Sequence, residues 1–272
     1  MRNSSMRLPV LAAIAIGLAA FGALIWSQRA DAPPGPESAD HTAAPTQTTV
    51  ASGVVEALGS IPHEGSAWTE GLLVSDGQLW ESTGRPTGSG VRAMDPATGE
   101  VLWSVSNGEA FFAEGMVRAF GRTYVLSYTE QTVFIFDREA RRPFQAFATY
   151  QGEGWGLTAV GNELINSNGS ADLFYRDPET FEILRTVTIR YEGQPVERLN
   201  ELEYDGTYLW ANQWQTPYVY RIDPADPGRV ERYELPDFCP GGYPNGIAWD
   251  PGAGIYYVTG QRCPVILKVR FH

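Results

Sequence analysis

Two carboxylates stand at the same place in two copies of a short pattern, Glu70 in Thr69-Glu70-Gly71-Leu72 and Glu114 in Ala113-Glu114-Gly115-Met116. Three further copies put other groups there: Trp155 in Gly154-Trp155-Gly156-Leu157, Asn200 in Leu199-Asn200-Glu201-Leu202 and Asn245 in Pro244-Asn245-Gly246-Ile247. Successive copies are 44, 41, 45 and 45 residues apart. Paired carboxylates can carry a proton in transit, because each raises the pKa of the other and leaves one able to donate. Carboxamides can hold an amine or polarise a carbonyl, and an indole can wall a pocket. Brought together, the five make a polar constellation with one stacking surface, suited to a ligand. The same groups could also satisfy one another and ordered water in a structural channel.

A spacing in the forties, held five times, marks a repeat fold. After each closing apolar residue comes a strand-like run, over 79–82, 124–127, 164–167, 209–212 and 256–259. A third strand then ends in Asp95-Pro96, Asp137, Asp177-Pro178 or Asp223-Pro224, where the Asp signals a turn. A fourth follows over 101–105, 143–147, 183–189 and 230–235. The fifth unit has no room for a fourth strand before His272, whereas 54–58 is an extra strand ahead of the first unit. The expectation is an all-β fold over 53–272, a five-bladed β-propeller whose N-terminal strand supplies the outer strand of the last blade. The first strand of each propeller blade lines the central channel. Glu70, Glu114, Trp155, Asn200 and Asn245 would therefore form one ring.

Three aromatics lie near that ring in the sequence: Trp68, Tyr128 and Trp214. Trp214 closes a second strand just before Gln215-Thr216-Pro217, where side chains project to the face of the disc. Trp80, Trp103 and Trp210 fall inside strands and are expected to pack. Of three histidines only His63 lies where it could join a structured site, and two cysteines are few for metal or thiol chemistry. No metal site and no cofactor is expected. The net charge of −12 argues against a nucleic-acid partner.

Arg2 and Arg7 flank an uncharged, largely apolar run over 8–26, which is 19 residues long. That exceeds the roughly 7–15 residues of a usual signal core and approaches the about 20 that cross a bilayer. Residues 1–30 thus read as a signal peptide or a membrane-anchor helix, and Ala30-Asp31-Ala32 offers a cleavage site. Both outcomes stay open. Basic residues before the run place the remainder outside the cytoplasm, in the periplasm or the medium, or held at the inner membrane by its N-terminus. Residues 31–52, rich in Pro, Ala, Thr and Ser, form a flexible linker. In an exported protein the pair Cys239 and Cys263, 24 residues apart, is expected to be a disulfide.

Taken together, Trp68-Thr69-Glu70-Gly71-Leu72, Glu81-Ser82-Thr83-Gly84, Phe112-Ala113-Glu114-Gly115, Gly152-Glu153-Gly154-Trp155-Gly156-Leu157, Leu199-Asn200-Glu201-Leu202-Glu203, Ala211-Asn212-Gln213-Trp214-Gln215-Thr216 and Asn245-Gly246-Ile247-Ala248 resemble the plant and bacterial glutaminyl-peptide cyclotransferases. The likeness runs from about Pro62 to Val269. It implies a five-bladed propeller that converts the N-terminal glutamine of peptides to pyroglutamate with loss of ammonia, without metal or cofactor, as a monomer. It places the family's catalytic glutamate on Glu114, with Glu70 beside it. Asn200, Glu201 and Asn245 would hold the amine and polarise the carboxamide, and Trp68, Trp155 and Trp214 would wall the pocket. Glu153 is a secondary candidate for the same chemistry.

The chain departs from the family pattern at several positions. Trp68 and Glu70 stand where Phe and Gln are usual, Gln261 where the family has lysine, Cys263 where it has tryptophan, Tyr128 for another tryptophan and Asn168 for aspartate. Gln261 matters most, since a neutral amide stabilises developing charge less well than an ammonium. Two other readings compete. A metal-dependent propeller lactonase or esterase would use the Glu and Asn ring for a hard cation, and a non-catalytic propeller would bind a peptide without turning it over.

Overall fold

Short apolar runs broken every few residues by Gly, Asp and Pro can form sheets but no long helix, and strands are what they form. A computed structural model describes residues 52–84 and 88–272. The expected signal or anchor over 1–30 and nearly all of the expected linker over 31–52 lie outside the described residues.

Five four-stranded antiparallel sheets follow one another. From inside out, blade one is Thr69–Ser75, Gln78–Thr83, Gly90–Met94 and Val101–Ser106, and blade two is Ala113–Ala119, Arg122–Ser127, Thr132–Phe136 and Phe144–Thr149. Blade three is Leu157–Val160, Glu163–Asn166, Asp172–Arg176 and Ile183–Thr188, and blade four is Leu199–Tyr204, Leu209–Gln213, Tyr218–Asp223 and Asp226–Glu234. Blade five has three strands from the end of the chain, Tyr243–Asp250, Ile255–Gln261 and Val265–Phe271. Its fourth is Val55–Pro62, which pairs with Val265–Phe271 from Val55 opposite Phe271 to Pro62 opposite Val265. A small hairpin, Arg190–Tyr191 with Gln194–Pro195, lies between blades three and four and has no counterpart in the sequence pattern.

Local chemistry sets the turns. Asp76 and Gly77 join the first two strands of blade one with both φ values positive, at 52° and 72°. Two-residue hairpin loops need that conformation to match strand twist. After the third strands, Asp95, Asp137, Asp177 and Asp223 each accept a backbone N–H two residues on, from Ala97, Glu139, Glu179 and Ala225. The side chain thus closes the turn itself.

The core is divided into five apolar clusters, each between two neighbouring blades. One joins Ile61, Ala248, Tyr257 and Ile266 of blade five to Leu72, Leu79 and Met94 of blade one. Large rings fill these layers. Trp80 and Trp103 meet edge-on at 4.8 Å, and the fully buried Trp210 packs on Tyr233, Tyr256 and Phe271.

Near the axis the blades touch through backbone. A Cβ on Gly115 would stand 2.4 Å from the Leu157 N of blade three, and one on Gly156 would stand 2.1 Å from the Asn200 carbonyl oxygen of blade four. Glycine before the closing apolar residue is therefore a requirement of close approach at Gly71, Gly115 and Gly156, where backbone of the next blade would stand within 2.8 Å of a Cβ, and less so at Gly246, where the nearest atom would be a Thr69 methyl at 3.1 Å. Blade four alone has another residue there, Glu201.

Candidate active site

Each inner strand except that of blade three carries a register shift where its site residue stands: between Thr69 and Gly71, Ala113 and Met116, Leu199 and Leu202, and Pro244 and Ile247. Such bulges re-aim a side chain out of the sheet alternation. Here they present Glu70, Glu114, Asn200 and Asn245 to the channel. All four are buried, none more than 5% exposed. In blade three the strand starts only at Leu157, so Trp155 enters the site from the segment before it.

Glu70 is the better-held carboxylate. Gln261 Nε2 donates to its two oxygens at 2.9 and 3.0 Å, and Asn245 Nδ2 donates to Oε2 at 2.7 Å. Burial still pushes Glu70 well above the usual carboxylate range, against the pull of these two amides. Glu114 lacks such help. Its Oε2 is buried with no partner. Burial raises it well above the ordinary value, and the neighbouring charges of Glu70, Glu153 and Glu130 raise it further. Burial and mutual charge thus favour a protonated carboxyl in this pair, the state a general acid needs.

Three more polar atoms near this pair are buried and unpaired: Asn200 Oδ1, Asn245 Oδ1 and Asn212 Nδ2. Two acceptors and one donor around a carboxylic acid suit an ammonium and a carbonyl oxygen. Aromatic rings cover the mouth. Trp155 meets Trp214 edge-on at 5.5 Å, Trp214 stands 6.4 Å from Tyr243, and Trp214 Nε1 donates to Gln261 Oε1 at 3.2 Å. Gln261 therefore spans the acid and the wall, each end of its amide used. Trp155 Nε1 donates to Glu153 at 3.0 Å, and burial followed by the nearby Glu153 charge pushes the Tyr128 hydroxyl up. Trp68 is half-buried two residues ahead of Glu70.

Glu201 is placed differently from the substrate contact its sequence context suggests. Both its oxygens are taken by backbone, Oε2 by Ile247 N at 2.8 Å and Oε1 by Leu72 N at 3.3 Å. From blade four it crosses the axis to blades five and one, and it is fully buried. Cys239 and Cys263 form the expected disulfide. Among the described residues no three His, Cys, Asp or Glu side chains group as metal ligands.

Two features escape the sequence reading. Asn212 occupies the column of Ser82, Ser127 and Ser167 at the end of a second strand, and its Oδ1 accepts from Gly246 N at 3.2 Å. That column was the available signal. The second is a buried network behind Glu70. Glu81 accepts from Thr69 Oγ1 at 2.5 Å and from Arg92 Nε at 2.5 Å, and its Oε1 lies 3.0 Å from His63 Nε2. His63 Nδ1 faces the Cys263 carbonyl at 2.8 Å, and its Nε2 lies between the Glu81 carboxylate and, at 3.2 Å, Arg92 Nη2. Burial opposes ionisation of Glu81, but His63 and Arg92 hold it at about 2. The network fixes Thr69 and hence the bulge that aims Glu70.

Comparison with known proteins agrees with this geometry. Residues 35–271 match the glutamine cyclotransferase family. The chain belongs to that family. A glutaminyl-peptide cyclotransferase of Arabidopsis thaliana is 32% identical over 226 residues, covering 79% of this chain and 71% of the plant protein. The crystal structure of a glutaminyl cyclase from Myxococcus xanthus superposes with a TM-score of 0.72 at 31% identity, over 82% of this chain and 98% of that one.

Proposed function

We propose that the chain cyclises the N-terminal glutamine of peptides to pyroglutamate, releasing ammonia, with Glu114 as the proton carrier and Glu70 as its partner. The α-ammonium enters a site whose two carboxylates have no cation of their own and whose Asn200 and Asn245 oxygens are free. It gives a proton to Glu114 and becomes the nucleophile. A bond then forms between the α-nitrogen and the side-chain amide carbon, and the amide oxygen takes up negative charge within reach of the free Asn212 N–H. Glu114 returns the proton to the departing nitrogen, the carbon–nitrogen bond breaks and ammonia leaves, while the attacking nitrogen gives up its second proton to the carboxylate pair and through it to solvent, leaving the neutral lactam. Because both reacting groups belong to one residue, the site has mainly to hold a bent conformer and move these two protons. The indoles of Trp155 and Trp214 exclude water that would solvate the ammonium.

One observation carries this reading: the buried, unpartnered Oε2 of Glu114 beside a second carboxylate. Glu114→Gln should lower kcat for ammonia release from a Gln-initiated peptide by about 10²- to 10⁴-fold, the usual worth of a general acid and base. Its circular dichroism should match the parent. Full activity in that variant would remove Glu114 from the mechanism. A parent chain that binds the peptide without turnover would favour a binding propeller.

A further inference from the structure

Next to the mouth, on the side of blades four and five, a groove of about 350 Å³ runs between the turn Gln215–Pro217 and the crossing segment 234–244. That volume lies at the small end of the roughly 300–1,000 Å³ typical of ligand sites. Each wall is one residue along the chain from a side chain of the site: Gln215 follows Trp214, and Pro244 precedes Asn245. Both walls thus adjoin side chains of the site along the chain, and Tyr243 of the lining stands 6.4 Å from Trp214. Its floor is apolar, made by Leu235 and Phe238, at 3% and 9% exposed. Tyr243 stands at its edge with 42% of its surface exposed and its ring toward Trp214.

The floor is held in shape. Leu235 N donates to Pro217 O at 2.9 Å, Gly242 N donates to Cys239 O at 3.0 Å, and the bond from Cys239 to Cys263 ties the segment to the end of the second strand of blade five. At the rim stand Glu234 and Asp237, both exposed, and the lining residues include no Lys, Arg or His. An apolar floor with an anionic rim, beside a site for an N-terminal residue, fits the rest of the same peptide.

We infer that this groove binds the residues that follow the N-terminal glutamine of the substrate, with an apolar side chain on Leu235 and Phe238 and a Lys or Arg side chain beside Glu234 and Asp237. This rests on the proposed reaction and adds its sequence preference. An extended chain advances about 3.3 Å per residue, so neighbouring residues of one peptide can occupy mouth and groove together.

The test compares kcat/KM of the full chain for glutamine amide, Gln-Leu-Lys-amide and Gln-Leu-Glu-amide, in the parent and in the double variant E234K/D237K. The parent should prefer the Lys peptide by about threefold to tenfold at low salt, the size expected of exposed ion pairs. Raising ionic strength should erase that preference. The double variant should reverse it and leave glutamine amide unchanged. Equal ratios in parent and variant would overturn the inference while leaving the reaction standing. If the parent turns over none of the three, the proposed reaction falls. Calorimetric binding then decides the groove: weaker binding of the Lys peptide by the variant supports it, and equal binding overturns it.

Discussion

Gln261 uses both ends of one amide, its N–H group on Glu70 and its oxygen on the Trp214 indole. A lysine there would place a cation against Glu70 and draw its proton away. With an amide, the two carboxylates have only each other, and the positive charge that relieves them arrives with the substrate. Glu70→Gln should therefore shift the pH profile in a defined direction. Burial raises Glu114 first and the Glu70 charge raises it next. In the proposed mechanism Glu114 must be ionised to take up a proton, so kcat/KM should rise with pH through its pKa. Removing the Glu70 charge lowers that pKa, and the acid limb should move to lower pH in a profile taken with a Gln peptide. A limb that stays in place would uncouple the two groups. The ring residues were legible because residue type and spacing coincide at 70, 114, 155, 200 and 245. The partners of Glu70 were less so, since Gln261 is 191 residues away and only closure of the ring brings it near.

At the level of strands, the Glu-Gly pattern has two separate causes. The glutamate or its replacement sits in a bulge and faces the channel, whereas the glycine lets one inner strand lie against the next. Gly115→Ala would press a methyl group into the backbone of Trp155 and Leu157. It should cost about 1–3 kcal/mol, as overpacking does, seen as a lower urea midpoint with an unchanged slope. An unchanged midpoint would mean that blades two and three can part without cost. Glu201 belongs to the same column, and its misreading has a physical origin. Beside Asn200 it resembles a second polar contact, and only the place of glycine in the other four copies marks it as a residue that crosses the axis. The strand pattern itself was readable because Asp-closed turns and apolar runs recur in step. The hairpin at Arg190–Tyr191 fits inside the 45-residue spacing between Leu157 and Leu202 and so left no such trace.

Across the whole ring, stability is shared among five interfaces, and blade five is reinforced covalently. Replacing Cys239 and Cys263 together by serine should cost roughly 3 kcal/mol on the chain-entropy account of a loop this long. Denaturant titration of the oxidised parent and the double variant measures that difference. A loss well under 1 kcal/mol would mean that the packing of Leu235 and Phe238 already fixes the segment.

The pairing of Val55–Pro62 with Val265–Phe271 also orders events in time. The first strand of the ring to be synthesised waits for the last, so a nascent chain exposes an unpaired edge at each end until translation is complete. Contacts so distant in sequence close slowly. The ring therefore cannot lock shut before its last strand, Val265–Phe271, has been made.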